Sequence, residues 1–427
     1  MVSSLAIQCQ DKKMQSTCAR QRVCFIIATL GHGRGGHFWS LKATVEALAR
    51  EIDCFVIDVG VSPSPVVESS SVRSYHVPFT GLNIWSAIGG ISRVFTEERP
   101  DVINLFDGRI DFLARVASIR HRIPLVRTKC GGPPPTRFFP YTDKVIIYSV
   151  EDRNWFSRSK KFSRSVIELI PNRTTPFTCD SGRIADLRSR IHADKPVVLR
   201  IARFTEHYET SMVQGINLVR RLNQENKDCQ LVIIGALQNQ GVYEHIAALS
   251  NKNVHIFTED RFTLDAKELI DIGDLVIGTG RGFMEAASRG KVLLTPLADG
   301  DLPVLVTEEN FADIFASNFS PRNRVENYNE ESNYREIRRV LVNRDRKQDL
   351  QEFARRLNTK HFDLYSALEQ HKAVCCDLRY RTHLPLFDLV YGFCGMLRSF
   401  WPFARHLERF QMSDENPTYD TNTKLQK

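Results

Sequence analysis

Three glycines near the N-terminus stand at a spacing that suits phosphate binding. Gly31, Gly33 and Gly36 form the pattern G-x-G-x-x-G between an apolar run and a helical stretch. Such glycines allow a tight turn and let backbone N–H groups approach a pyrophosphate at the helix N-terminus. Asp58 ends the next apolar run, where a dinucleotide-binding fold places a ribose-binding acid. Taken alone, the pattern predicts an NAD-dependent oxidoreductase, and a closely packed strand-to-helix turn is the alternative.

A second glycine-rich stretch lies in the other half of the chain and carries a single acid. Residues 274–290 read DLVIGTGRGFMEAASRG, which predicts a strand, a glycine loop and a helix containing Glu285. A carboxylate at that point of the helix can accept hydrogen bonds from both hydroxyls of a ribose. The loop amides just before it can bind phosphates. This stretch therefore predicts nucleotide binding from the later half.

Two polar positions follow apolar runs in the first half. Asp107 comes directly after the run 102–106, and Lys129 follows the run 124–128 and precedes Cys130-Gly131-Gly132. Ligands of doubly wound sheets bind beyond the carboxyl ends of the strands. We therefore expect Asp107 to orient or deprotonate an acceptor hydroxyl and Lys129 to pair with a phosphate. The alternatives are a helix cap at Asp107 and a plain loop at Lys129.

The stretch 274–290 resembles the group-1 (family 4) glycosyltransferases. Their pattern is an acid, a glycine-rich turn, a second acid eight residues later, then Ala and a helix-ending Gly. Weaker similarity extends over about residues 22–310 and includes Ile170-Pro171-Asn172, Leu199–Arg203, Leu231–Gly235 and the loop GHGRGGHFWS. The resemblance implies the GT-B fold, donor binding mainly by the C-terminal domain, retention of anomeric configuration and no metal.

Residue by residue, the resemblance implies a set of donor contacts. Arg203 would bind the donor's phosphates, and Gly280 and Glu285 would also contact the donor. Gly35 and Gly36 belong to the first-domain glycine loop and would contact the donor as well.

This sequence departs from the family pattern at three positions. Ile277 stands where the first acid is expected, Tyr208 where a phosphate-binding Lys is expected, and Ala202 where Gly usually precedes the arginine. These departures leave open a partner subunit that kept the fold without activity.

The elements that position these residues alternate between strand and helix. Runs that are apolar on both faces suit parallel strands covered on both sides. Two series of such runs are separated by Pro171-Asn172-Arg173 and a polar stretch to residue 195. We predict an α/β fold with two doubly wound, Rossmann-like domains facing a cleft, over residues 21–190 and 191–345. Residues 1–20 are predicted to be disordered or loosely packed.

Residues 346–410 are predicted to form a helical tail, and 411–427 a disordered end. One stripe of the last helix is apolar: Leu386, Leu389, Val390, Phe393, Leu397, Phe400 and Trp401. Asp388 and Arg398 fall away from the stripe and, with the flanking prolines, make a membrane-spanning helix unfavourable. The stripe would either lie in a membrane interface or pack on the protein itself.

Composition and charge narrow the function classes. The 427 residues are 42% hydrophobic and 25% charged, which excludes a fibrous or disordered chain. The net charge is +8, and Arg109–Arg164 holds thirteen basic against four acidic residues. Such a segment attracts phosphates on nucleotides or anionic lipids, unless it is simply a solvated basic face. Ten cysteines without regular spacing indicate a reducing compartment.

Together these features predict a glycosyltransferase of hexosyltransferase type in polysaccharide or glycolipid biosynthesis. Its substrates would be a nucleotide sugar and a lipid-linked or saccharide acceptor. No cofactor, metal or nucleic acid is expected, because the lone Asp299-Gly-Asp301 and the twelve histidines show no metal-ligand spacing. The predicted location is cytoplasmic, peripheral at the inner face of the cell membrane. A non-catalytic subunit and an NAD-dependent oxidoreductase remain the alternatives.

Overall fold

The computed structural model of the chain describes residues 21–31, 33–106, 108–132, 134–136, 138–226, 228–375, 378 and 386–411, without the side chains of 401–411. The described residues form two compact units. The first contains the residues up to Lys129, residues 135–145 and those from Val374 onward, and the second contains the remainder.

Seven strands form the first sheet, in the spatial order β3-β2-β1-β4-β5-β6-β7. β1 pairs in parallel with β2 and β4, and β2–β3 and β4–β5 are also parallel. The strands are β1 Arg22–Thr29, β2 Asp53–Gly60, β3 Ser74–Pro78, β4 Val102–Leu105, β5 Leu125–Lys129, β6 Lys144–Ile147 and β7 Val166–Leu169. β3 and β7 escaped the sequence analysis because both are edge strands, partly exposed and without a continuous apolar run.

Helices connect these strands. They are α1 Gly36–Leu48, α2 Pro65–Glu68, α3 Ile84–Glu98, α4 Asp111–His121 and α5 Val150–Arg158. The apolar faces of α3 and α4 pack on the sheet in one buried cluster that includes Ile26, Ile57 and Ile103 from the central strands.

The second sheet has six strands in the order β10-β9-β8-β11-β12-β13. The strands are β8 Val197–Ile201, β9 Gln230–Ile234, β10 Val254–Phe257, β11 Leu275–Ile277, β12 Val292–Thr295 and β13 Val304–Leu305. All pair in parallel except β12 with β13, which is antiparallel. Buried clusters lie on both faces of this sheet, which explains why its strands are apolar throughout.

The helices that precede, connect or follow the strands of this second sheet are α6 Ser181–Ser189, α7 Glu206–Gln224, α8 Gln240–Leu249, α9 Asp260–Thr263, α10 Gly280–Ser288, α11 Phe311–Ala316, α12 Glu330–Val342, α13 Arg344–Leu357, α14 Leu368–Cys375 and α15 Leu386–Gln411. The predicted fold class, two Rossmann-like parallel sheets followed by C-terminal helices, is confirmed. The predicted domain boundaries stay predictions, and residues 1–20 and 412–427 lie outside the described residues.

The last helix, α15, packs on the first unit with a face that contains Phe393 and Phe400 of the predicted stripe together with Asp388. Its buried residues are Asp388, Gly392, Met396 and Phe400, whereas Leu386 and Phe387 are more than 70% exposed. Asp388 is buried because it lies close to the buried guanidinium of Arg115 on α4. The hydrophobic pattern predicted that Asp388 lies on the outer face, because such a pattern treats every charged side chain as exposed. It cannot account for a charge that is neutralised inside the fold.

Candidate functional site

The strand order of the second sheet reverses between β8 and β11, and a buried arginine lies at this point. The Arg200 side chain is 1% exposed. Its Nε donates to Ser211 Oγ (2.9 Å), Nη1 to the Ile277 carbonyl (2.9 Å) and Nη2 to Thr279 Oγ1 (3.1 Å). Burial lowers the pKa of Arg200 to about 10, and Tyr208 opposes this shift. Among the described residues no carboxylate pairs with Arg200, so a buried cation lies at the switch point without a counter-ion.

Two helices begin beside this guanidinium, and neither has a side-chain cap. Thr205 precedes α7 and Thr279 precedes α10, but neither hydroxyl accepts a hydrogen bond from its own helix. The Thr279 hydroxyl is used by Arg200 instead. The first amides of a helix have no intrahelical acceptor and carry partial positive charge. The switch point therefore combines two helix N-termini with a buried cation, and this arrangement favours an anion.

Further cations surround the start of α7. Arg203 follows β8 and donates to Gln238 Oε1 at 3.2 Å. The ring of Tyr208 lies 5.5 Å from the Arg200 guanidinium and 5.8 Å from that of Arg203. Arg322 donates to the Gly132 carbonyl at 3.1 Å and pairs with Glu151 Oε2 at 3.0 Å. Burial and then Arg322, Arg200 and Arg203 lower the pKa of His207.

Glu285 lies on α10 with its carboxylate already paired. Arg281 Nε donates to Glu285 Oε1 at 2.8 Å, and both side chains are nearly buried. Arg281 Nη1 also donates to the Arg173 carbonyl at 3.3 Å. Gly280 begins the helix with φ +47°, and a Cβ there would meet no atom within 4 Å. The structure thus places Arg203, Gly280 and Glu285 at the carboxyl edge of one sheet, beyond adjacent strands.

Ile277, which replaces an expected acid, belongs to the hydrophobic core. Its side chain is fully buried, and its Cδ1 lies 2.9 Å from where a Cβ on Gly215 of α7 would be. Ala202 donates its amide to the Ile234 carbonyl at 2.9 Å, as an ordinary continuation of β8. Position 277 therefore contributes only its backbone carbonyl to the switch point, and this carbonyl is the acceptor for Arg200.

The glycine loop of the first unit packs against the segment that follows β2. Gly33 has φ +61°, and its carbonyl accepts from Ser64 Oγ at 2.6 Å. Asp58 is 2% exposed, and its carboxylate accepts from the Thr29 hydroxyl and, at 2.5 Å, from the Ser64 amide. Burial raises the pKa of Asp58. The carboxylate predicted to bind ribose is therefore occupied in holding the chain together.

The remaining predicted contacts lie at the carboxyl edge of the first sheet. Gly35 precedes α1 without a side-chain cap, and Gly36 is the first residue of that helix. Lys129 ends β5 and is partly exposed. Asp107, the predicted catalytic residue, lies outside the described residues.

Metal coordination finds no support in the part of the chain that the structure describes. There, no three His, Cys, Asp or Glu side chains lie close enough together to hold an ion. Asp299 of the D-x-D sequence instead pairs with Arg324.

The sequence analysis did not identify Arg200, His207, Arg281 or Arg322 as site residues. Arg200 carried a recognisable signal, because a charged residue inside the otherwise apolar strand VVLRI needs a buried partner or a ligand. The other three became visible only through tertiary contacts. His207 and Arg322 lie in segments that read as ordinary polar surface. Arg281 lies in the glycine-rich stretch 274–290, but its bonds to Glu285 and Arg173 are seen only in the structure.

The structure is similar to solved GT-B glycosyltransferases. HepE from Anabaena in complex with UDP and glucose superposes with TM-score 0.61 at 14% identity, over 84% of this chain and 100% of that one. A glycosyltransferase from Rickettsia africae gives TM-score 0.63 at 15% identity, with the same two coverages. A Listeria monocytogenes protein described as a UDP-N-acetylglucosamine 2-epimerase gives 0.54 at 17% identity, over 83% and 95%.

No protein-family model and no curated protein matches the sequence. At these identities the similarity shows the fold alone. The predicted resemblance to GT-B glycosyltransferases is therefore confirmed at the level of fold.

Proposed function

We propose that this chain is a glycosyltransferase that binds the diphosphate of a nucleotide-sugar donor at the β8–β11 switch point. The observation that carries the proposal is Arg200, a buried guanidinium with no carboxylate partner among the described residues, between two uncapped helix N-termini. A buried charge without a counter-ion is costly, and an arriving diphosphate supplies the missing negative charge. The structural neighbour HepE was solved with UDP and with UDP-glucose, which fits a donor of this class.

The donor's parts have distinct partners in this proposal. Arg203 and the amides that begin α7 and α10 bind the diphosphate, and Arg200 holds the loop at Gly280 in place. Glu285 accepts hydrogen bonds from the ribose hydroxyls, so its bond to Arg281 loosens when the donor binds. Gly35, Gly36 and Lys129 of the first unit add donor contacts.

The chemistry is a substitution at the anomeric carbon. The acceptor hydroxyl oxygen forms a bond to this carbon while the bond to the phosphate oxygen breaks, and the electron pair leaves with the diphosphate. Guanidinium groups and helix amides stabilise the charge that develops on the leaving group. Asp107 receives the hydroxyl proton. The resemblance to family-4 enzymes supports retention of configuration and transfer of a hexose.

Binding measurements test this function directly. Thermal shift and calorimetry with UDP-glucose, GDP-mannose, UDP-N-acetylglucosamine and NADH should show stabilisation by at least one nucleotide sugar and none by NADH. Binding of NADH alone would favour the NAD-dependent oxidoreductase instead. Against that function, the Asp58 carboxylate that would bind the ribose already accepts hydrogen bonds from Thr29 and Ser64. Interconversion of the free UDP-N-acetylhexosamines without transfer would make the chain an epimerase.

A non-catalytic subunit is the second candidate, and two observations favour it. Position 277 offers no acid, since Ile277 is in the core, and Glu285 is neutralised by Arg281. A chain of this kind would bind no nucleotide sugar and release no nucleoside diphosphate, even with membranes present.

The acceptor and the location belong to the proposal as well. We expect a lipid-linked or saccharide acceptor in surface polysaccharide or glycolipid synthesis, at the inner face of the cell membrane. Exposed apolar side chains on the first unit support membrane contact: Leu82, Trp85, Leu386 and Phe387. Arg115 and Arg127 do not contribute to a basic surface, because both are buried. Among the described residues no helix combines the length and apolar character that crossing a bilayer requires.

Vesicle sedimentation tests the membrane proposal. The full chain should sediment with vesicles of phosphatidylglycerol and phosphatidylcholine, and Trp85→Ser with Phe387→Ser should reduce the bound fraction. Equal sedimentation of the wild type and the double variant would remove these side chains from the membrane contact.

A further inference from the structure

His207 lies at the rim of the proposed donor site but has no role in the binding scheme above. It is the second residue of α7, and its side chain is exposed in the first turn. Its ring centroid lies 4.7 Å from that of Tyr208, whose ring in turn lies beside the guanidiniums of Arg200 and Arg203. The imidazole therefore lies in the first turn of α7, beside the aromatic ring that both guanidiniums approach.

The charges that act most strongly on the His207 imidazole are positive. Burial and the guanidiniums of Arg322, Arg200 and Arg203 lower its pKa, in that order. The nearby carboxylates are engaged elsewhere. Glu151 pairs with Arg322, Glu206 bonds to Asn239, and Glu209 pairs with His245. His207 is consequently neutral in the free protein at neutral pH.

A bound diphosphate reverses this electrostatic balance. Two negative charges placed among the same guanidiniums offset their repulsion of a proton on His207 and offer an acceptor to its N–H. The pKa of His207 is then higher in the complex than in the free protein. Affinity gained in this way is complete below the free-state pKa and is lost as the pH rises through the bound-state pKa.

We infer that His207 is a ligand of the donor's diphosphate and takes up a proton when the donor binds. The inference rests on the proposed function, since it needs a nucleotide sugar at the β8–β11 switch point. It adds to Arg203 a second cationic ligand at the switch point, one that is charged only when the substrate is present. Donor affinity thereby becomes dependent on pH.

UDP-glucose is the appropriate probe, because both of its phosphates are diesters and lack the ionisation near pH 6 of a terminal phosphate. With the full-length wild-type chain, the Kd should rise between pH 6 and pH 8, by at most tenfold per pH unit. Calorimetry in two buffers of different ionisation enthalpy should show proton uptake on binding, up to one proton per donor.

Three variants separate a ligand from a structural residue. His207→Gln should bind with a Kd that does not depend on pH and without proton uptake. His207→Lys, which keeps its charge, should retain at pH 8 the affinity that the wild type shows at pH 6. His245→Gln is the matched control, an exposed histidine on α8 that pairs with Glu209, and it should keep the wild-type pH dependence.

The outcomes distinguish this inference from the proposed function. If wild-type UDP-glucose binding is independent of pH, or if His207→Gln keeps the proton uptake, His207 is not a ligand although the donor site stands. If UDP-glucose, GDP-mannose and UDP-N-acetylglucosamine all fail to bind at pH 6, the proposed function is overturned and the role of His207 with it.

Discussion

Two buried arginine sites in this molecule differ in how their charge is balanced. In the first unit, Arg115 donates to both oxygens of Asp111 at 3.1 Å, Arg127 pairs with the same carboxylate, and Asp388 lies close to Arg115. In the second unit, the partners of Arg200 among the described residues are a carbonyl and two hydroxyls. Burial lowers the pKa of both Arg115 and Arg200 to about 10.

The difference separates a structural use of charge from a functional one. The network of the first unit contains two cations and two anions, so its charge is balanced without a ligand. It also holds α15 against α4. A cation at a strand end without an anion leaves an energetic cost that a ligand relieves. Burial of an arginine therefore does not by itself distinguish a structural residue from a functional one. The presence or absence of its counter-ion does.

The largest expected effect is on the balanced site. Asp111→Ala leaves Arg115 and Arg127 buried without their shared carboxylate, at a cost of about 3–5 kcal/mol in the free energy of unfolding. Denaturant unfolding measures this cost. Arg200→Met, which removes an already unbalanced charge, should destabilise the free protein distinctly less. Equal losses would erase the distinction between the two sites.

For donor binding the order of the two sites should be reversed, with the larger loss of affinity at Arg200 and none at Asp111. Arg200→Met removes the group that holds the Ile277 carbonyl and the Thr279 hydroxyl, so we expect UDP-glucose affinity to fall about 10- to 100-fold. Calorimetry measures the Kd of each variant, and Arg200→Lys should recover part of the lost affinity. Asp111→Asn, measured under conditions where it stays folded, should bind with wild-type affinity. A normal Kd for Arg200→Met would make Arg200 a purely structural residue.

Two glycines of α15 differ in the space that surrounds them, and this difference tests how the helix packs on α4. A Cβ on Gly392 would lie 2.8 Å from Asp111 Oδ2, whereas one on Gly395 would meet no atom within 4 Å. Gly392→Ala should therefore destabilise the chain by about 1–3 kcal/mol, as overpacking does. Gly395→Ala should stabilise it by about 0.5–1 kcal/mol, because alanine favours a helix. Identical melting temperatures for the two variants would contradict the packing of α15 on α4.

The last expected effect concerns the ribose contact. Glu285→Gln keeps a hydrogen-bonding side chain but removes the charge, so we expect about tenfold weaker UDP-glucose binding. The matched control is Glu244→Gln on α8, whose carboxylate bonds only to Gln240 among the described side chains. Competition against a fluorescent nucleotide provides the measurement. Unchanged affinity in Glu285→Gln would place the ribose elsewhere.

Much of the fold could be predicted because the central strands are covered on both faces. The apolar runs 102–106 and 124–128 agree with β4 and β5 within one residue at each end. The edge strands β3, β7 and β13 were missed because strands this short or this exposed carry no such pattern. The packing face of α15 was predicted in part: Phe393 and Phe400 of the stripe contact the core, but Asp388 is buried although periodicity placed it on the outer face.

The amino-acid sequence by itself determined the alternation of strands and helices and the glycine loops at strand ends, because both follow from local periodicity and backbone freedom. It also contained the candidates Arg203, Gly280 and Glu285. Only the tertiary structure decided which charges are balanced. Arg200 finds two of its three partners 77 and 79 residues away along the chain, whereas Arg115 pairs with Asp111 one turn away on the same helix. The counter-ion of a buried charge is a property of three-dimensional packing, and here that property separates the proposed donor site from the core.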